Sequence, residues 1–312
     1  MRSGQADRIQ EVLSMTSTVT PLRQQQPESA LRIQPLAAPL GAEIYGLDGR
    51  EDLTAEQIIS LKKALNEHHI LIFKKQNLDD SQFLRFTSWF GSVFQPHPDF
   101  AVLSSNDDGR APDIVKVANT GDGELGSFAL PAHSDHQWTP TPSSGSLLYA
   151  LEVPEEGGET YFTNLALAYS ALDDETKRTI DSLHLISYNP FVRLKNGGYN
   201  GGFVTYRTPD IEPIQGTEHP LVRTHPDSGK RLLFLSVHTE VEIPGYDPEQ
   251  GKALIARLRE HLQNPRFIYS HKWEAGDIVY WDNQATLHGR NAFPANQRRR
   301  MKRISLAGSR PF

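Results

Sequence analysis

In the segment PAHSDHQW, residues 131–138, an imidazole and a carboxylate stand two positions apart at His133 and Asp135. In an extended backbone the period of two sends both to one face and Ser134 to the other, so both can reach a single ion. A third ligand then has to come from another strand, and His288 in WDNQATLHGR is the best candidate. Two histidines and one aspartate on one face of an octahedral ion leave the opposite positions open, the donor set of non-haem Fe(II) oxygenases. The plainer reading of one HxD in a chain with 12 histidines is a polar pair on an exposed loop.

A second constellation lies in RRRMKRIS. Extended backbone puts Arg299, Met301 and Arg303 on one face and Arg300, Lys302 and Ile304 on the other. Arginines turned inward require anionic partners, and their planar forks suit carboxylates. The alternative is an edge strand guarded by solvated charge.

The elements that must carry these residues are mostly short strands. LTAEQIISLKKALNEHH reads as a helix capped at Thr54, ILIF at 70–73 as a buried strand, and DDSQFLRFTSWFG as a helix from Asp79 or Asp80 to Gly91. Residues 92–130 read as turns and loops. One helix is expected over LALAYSALDDETKRTIDSL and another over PEQGKALIARLREHLQN. LVRTHPDSGKRLLFLS reads as a hairpin turning at Asp227, Ser228 and Gly229, and GDIVYWDN and MKRISLAG read as strands. The fold class is mainly β with peripheral helices, a sandwich or barrel. Residues 1–28, rich in Gln, Ser, Thr and Pro, read as a flexible arm before one domain at 29–312.

Composition narrows the chemistry. A net charge of -6 argues against nucleic acid or anionic lipid as partner. The absence of cysteine leaves His, Asp and Glu as the strong metal ligands. No apolar run is long enough to span a bilayer and the first residues lack a secretory signal, so the expectation is a cytoplasmic protein with no membrane partner. A homo-oligomer is left open.

With HSD at 133–135, GGET at 157–160, WDNQATLH at 281–288 and QRRRMKR at 297–303, the sequence resembles the taurine dioxygenase and 2,4-dichlorophenoxyacetate dioxygenase family. Those enzymes depend on Fe(II) and 2-oxoglutarate. The resemblance implies a double-stranded β-helix, or jelly roll, with His133, Asp135 and His288 as catalytic metal ligands. It implies Fe(II) as cofactor, 2-oxoglutarate and O2 as cosubstrates, and hydroxylation of a small acidic substrate, a carboxylate first and a sulfonate second. Oxidative cleavage follows where the hydroxylated carbon carries an ether or related bond. Thr160 matches a threonine that hydrogen-bonds a cosubstrate carboxylate, Arg299 the arginine that pairs with the distal carboxylate of 2-oxoglutarate, and Arg303 an arginine for the substrate's acid. His136 and His97 are further substrate-site candidates, with Trp138 a pocket wall or core residue and Lys195 and Tyr206 more plausibly surface. Trp281, Asp282 and Asn283 read as packing and local hydrogen bonding. The alternatives are a zinc hydrolase, which gives no reason for a dicarboxylate cradle, and a noncatalytic metal-binding jelly roll.

Overall fold

A computed structural model describes residues 31–97, 99–100, 102, 112–121, 125–190, 216–237 and 239–312. The arm expected at 1–28, Lys195 and Tyr206 lie outside these residues. A seven-stranded sheet has the order Arg32–Pro35, Ala42–Tyr45, Ile70–Phe73, Ile278–Asp282, Gly145–Glu152, Arg300–Leu306 and Val115–Ala118. A four-stranded antiparallel sheet has the order Ile268–His271, Thr160–Asn164, Thr286–Arg290 and Leu130–His133. Ile72, Leu148, Val279, Trp281 and Met301 of the first sheet pack against Phe162 of the second. The result is the jelly roll the sequence leads one to expect.

The outer face of the larger sheet is covered as well. Phe73, Leu147 and Ile304 are buried there beneath Leu61 and Leu65 of the helix Ala55–His68 and Phe83 and Phe86 of the helix Asp80–Ser88. This explains why Gly145–Glu152 reads SLLYAL without alternation: a strand buried on both faces has no polar side. Each fully buried side chain of this size contributes about 1.5–3 kcal/mol. On the other flank, Leu254, Ile255 and Leu258 of the helix Pro248–Leu262 pack on Leu165, Leu185 and Leu232.

Several expectations are met through identifiable contacts. Thr54 caps its helix with a reciprocal capping box to Gln57. Asp79 rather than Asp80 caps the next, which ends before Trp89 and does not reach Gly91. In the hairpin Val222–Thr224 to Arg231–Leu233, Asp227 and Ser228 donate their backbone N–H groups to His225 Nδ1, at 3.2 and 3.1 Å, and Gly229 takes a φ of 68°. The helix expected over 165–183 is instead two, Leu165–Ser170 and Asp174–Ile180. The cause is Asp173, whose carboxylate accepts from Thr176 N and Oγ1 at 2.8 and 2.7 Å and so starts a new helix. The loop region 92–130 also contains a strand at Val115–Ala118, which forms by pairing with 300–303.

Candidate active site

The strand Leu130–His133 lies at one edge of the smaller sheet, and its pairing with Thr286–Arg290 sets His133 directly opposite His288. The two rings lie 4.3 Å apart between centroids. Asp135 does not arrive by strand alternation, because the strand ends at His133 and the chain turns through 135–138. Asn283 makes that turn converge. Its Oδ1 accepts from Asp135 N at 2.9 Å, and its Nδ2 donates to Asp135 O and Ser143 O at 3.0 and 2.9 Å. Ser134 Oγ donates in return to Asn283 O at 3.0 Å. The sequence reading treated Asn283 as local structure; its partners lie about 140 residues upstream.

His133 Nε2 and His288 Nε2 each stand 3.7 Å from an Asp135 oxygen, and all three donor atoms lie within 4.8 Å of one another. That is too far for hydrogen bonds and close enough to share one ion. His133 Nδ1 lies 2.9 Å from Pro131 O, which can only accept, so the ring carries its hydrogen there and Nε2 is the nitrogen on the Asp135 side. Burial, the largest cause, pushes His288 down to about 3, so it is neutral and ready to ligate at neutral pH. Burial alone would raise Asp135; the Arg303 guanidinium beside it outweighs that and holds the carboxyl well below its ordinary range. Arg303 Nη1 lies 3.3 and 3.2 Å from the two Asp135 oxygens.

These groups line a cavity of about 410 Å³ that also takes in Thr160, Arg299, His136 and Trp138. Arg299 is buried, and among the described residues no carboxylate pairs with it; it donates to Gly158 O at 3.3 Å and reaches Thr160 Oγ1 at 3.4 Å. Burial, followed by the nearby Arg290 charge, pushes it down to about 9, still cationic at neutral pH. The GG of GGET packs closely here: a Cβ at Gly157, where φ is 73°, would sit 2.3 Å from Ala292 O, and one at Gly158 would sit 3.4 Å from Arg299 Cδ. Trp273 Nε1 donates to Thr160 Oγ1 at 3.0 Å. With both lone pairs of Oγ1 taken by N–H donors, the Thr160 hydroxyl hydrogen is left to donate into the cavity. Trp273 was missed by sequence reasoning, and its one signal was an indole N–H that needs an acceptor when buried.

Arg299, Met301 and Arg303 share the inner face as alternation requires, while Arg300 and Lys302 pair outside with Glu152 and Asp80. Trp281 packs 4.6 Å from the His288 ring, centroid to centroid, and Asp282 accepts from His225 Nε2 at 2.8 Å. His97 is not brought to the cavity. It lies exposed and accepts from Asp99 N at 3.2 Å, while its carbonyl accepts from Phe100 N. Among the described residues no helix is long and apolar enough to cross a membrane.

The family model for taurine catabolism dioxygenase TauD, TfdA family, matches residues 32–305. The chain belongs to this family. It is accordingly an Fe(II)- and 2-oxoglutarate-dependent dioxygenase that uses O2. TauD/TfdA relatives include the alpha-ketoglutarate-dependent 2,4-dichlorophenoxyacetate dioxygenase of Cupriavidus pinatubonensis, 29% identical over 87% of this chain and 96% of that protein. The alpha-ketoglutarate-dependent sulfate ester dioxygenase of Pseudomonas putida is 31% identical over 90% of this chain and 91% of its own length. Among solved structures, a taurine dioxygenase from Burkholderia xenovorans aligns with a TM-score of 0.72 at 29% identity, covering 91% of this chain and 93% of its own. AAD-2 in complex with Mn(II) and N-oxalylglycine aligns with a TM-score of 0.72 at 30% identity, over 91% and 99% of the respective chains.

In this TauD/TfdA chain the Asn283 clamp has a measurable consequence. Asn283→Ala removes every hydrogen bond that fixes the Asp135 backbone and leaves a buried N–H unpaired, so metal affinity is expected to fall about 10–100-fold, as when other residues supporting a ligand are lost. Titration of the folded variant with Co(II) measures this, and wild-type affinity would show the clamp to be dispensable.

Proposed function

We propose that His133, Asp135 and His288 hold the Fe(II), that Thr160 and Arg299 take the distal carboxylate of 2-oxoglutarate, and that Arg303 receives the acid group of the prime substrate. The reaction is hydroxylation of a small organic anion, a carboxylate first and a sulfonate second, with cleavage where the hydroxylated carbon bears an ether or related oxygen. Residues 29–312 act as the single catalytic domain.

The observation that carries this reading is the pair of separate cationic recesses in one cavity: Arg299 with the Thr160 hydroxyl, and Arg303 beside Asp135. A buried guanidinium without a carboxylate of its own calls for an anion from solution. A hydrolytic zinc site has no use for the first recess, and two recesses suit two organic acids. N-oxalylglycine in AAD-2 carries the same two terminal carboxylates as 2-oxoglutarate, which supports the cosubstrate assignment.

When bound, the metal with 2-oxoglutarate and O2 supplies the oxidising power for C–H hydroxylation, with succinate and CO2 as coproducts. The chain itself supplies position. Arg299 and Thr160 fix one end of the cosubstrate, and Arg303 fixes the substrate acid so that one carbon is presented to the metal face. The apolar walls, with Trp138 and Trp281 among them, limit water around the site.

The test is an anaerobic titration of metal-free protein with Fe(II) and 2-oxoglutarate, following the visible charge-transfer band of a chelated keto acid. A saturable band that requires both additions is expected. Arg299→Met should weaken 2-oxoglutarate in this titration by roughly 30-fold or more, the effect of deleting one partner of a buried charge pair. No band from protein that has bound iron, or equal losses for both acids in Arg299 and Arg303 variants, would count against these assignments.

A further inference from the structure

His136 combines features that its neighbours lack. It is a buried non-glycine residue at φ 61°, a backbone region that costs energy for most side chains and recurs at functional sites. Its ring is locked from two sides. Phe94 stacks on it at 4.1 Å with 7° between the planes, and Nδ1 lies 3.1 Å from Ser143 Oγ. The remaining ring nitrogen, Nε2, makes no hydrogen bond among the described residues, and the residue lines the cavity next to Asp135.

The direction of the Ser143 bond decides what Nε2 is. Ser143 is fully buried, and the other side chain at its hydroxyl is Asn283, whose Nδ2 donates to Oγ at 3.1 Å. The Asn283 amide cannot be reversed, since its Oδ1 already accepts from Asp135 N. The Ser143 hydrogen therefore has one acceptor within reach, His136 Nδ1. An Nδ1–H ring would leave a buried hydroxyl without an acceptor, at a cost of about 1–3 kcal/mol. Nδ1 accordingly accepts, and the ring hydrogen sits on Nε2 of this cavity-lining residue.

Resting on the acid-binding role of Arg303 given above, we propose that the prime substrate's oxyanion group is bound jointly by Arg303 and the Nε2–H of His136, making His136 a specificity-determining residue. Arg303 meets Asp135 through Nη1 alone, so the guanidinium has donor capacity beyond that contact. A carboxylate, sulfonate or sulfate offers at least two oxygens, one for each donor. A cation, or a neutral amide presenting N–H groups, would meet two donors and no acceptor. The substrate class is thereby narrowed to oxyanion acids.

Two measurements test this. In Zn(II)-substituted, 2-oxoglutarate-bound protein, long-range proton–nitrogen NMR of the His136 ring should place the hydrogen on Nε2; a hydrogen on Nδ1 alone overturns the proposal. In anaerobic Fe(II) and 2-oxoglutarate-loaded protein, binding of 2,4-dichlorophenoxyacetate, hexyl sulfate and taurine is read from perturbation of the charge-transfer band. His136→Phe keeps the stack and removes the donor, and it should weaken the bound acid about tenfold or more. His136→Gln, which restores an N–H at similar reach, should stay within about threefold of wild type on the same scale. Both substitutions carry the same backbone cost at positive φ, so equal losses in both point to the backbone and overturn the assignment. Wild-type affinity in the phenylalanine variant does so too. If none of the three acids perturbs the wild-type band, the inference falls together with the acid role of Arg303, while the band itself still supports the 2-oxoglutarate site.

Discussion

Asp135→Asn is expected to abolish turnover and, in metal-free protein, to lower stability by roughly 3–5 kcal/mol, the cost of breaking a buried ion pair from one side. The carboxylate faces Arg303 at 3.3 and 3.2 Å and two imidazoles at 3.7 Å, in a site almost closed to water. An amide of the same shape removes the one negative charge among them. Arg303, already with an unpartnered Nε, then becomes a buried cation without a counter-charge. Loss of a ligand should also cost more in metal affinity than the roughly 100-fold that follows loss of a group supporting one. The two effects separate in the double variant Asp135→Asn/Arg303→Gln, which removes both charges. It should recover most of the lost stability in a denaturant titration and none of the Co(II) affinity. A single variant as stable as wild type would show that Arg303 finds another partner and that the pair does not hold this end of the cavity.

That prediction turns on a contact the sequence did not show, although each of its residues was legible. His133, Asp135 and His288 stand out because only certain side chains ligate hard metals and the chain has no cysteine. Arg299 and Arg303 were readable as a pair because strand alternation is local, and four residues always return to the same face. Alternation gave the wrong reason for Asp135, however, since the strand stops at His133 and the turn is drawn in by Asn283. Such a clamp joins two turns 148 residues apart, and no local pattern encodes that. The same holds for Trp273, which reaches Thr160 from 113 residues away. Local competition misled the helix reading in the opposite sense. Residues 165–183 keep a helical apolar spacing throughout, yet one carboxylate at Asp173 makes a better start for a new helix than a continuation of the old. His97, taken from a motif fragment alone, does not line the described cavity.

Outside the active site, acid should unfold the protein through histidines buried in neutral form. His69 and His219 are each pushed down to about 4, mainly by burial, and each has a buried Nδ1 that makes no hydrogen bond among the described residues. In the unfolded chain both would titrate near the ordinary value of about 6.5. Below that value the unfolded state binds more protons than the folded one, so acidification favours unfolding. The stability is complete above about 6.5 and falls through the window down to about 4, by about 1.4 kcal/mol per pH unit for each ring. Across the window that is roughly 3 kcal/mol per histidine, a large share of a net stability of about 5–15 kcal/mol. The double variant His69→Asn/His219→Gln separates this from the carboxylates. Asparagine tolerates the left-handed backbone that His69 adopts at φ 63°, and glutamine can still donate to Thr139 O, which His219 Nε2 meets at 2.9 Å. Urea midpoints measured from pH 7 to 4 should fall less steeply in the variant than in the wild type. Parallel slopes would mean that these rings gain protons in the folded protein as readily as in the unfolded chain, and that acid sensitivity arises elsewhere.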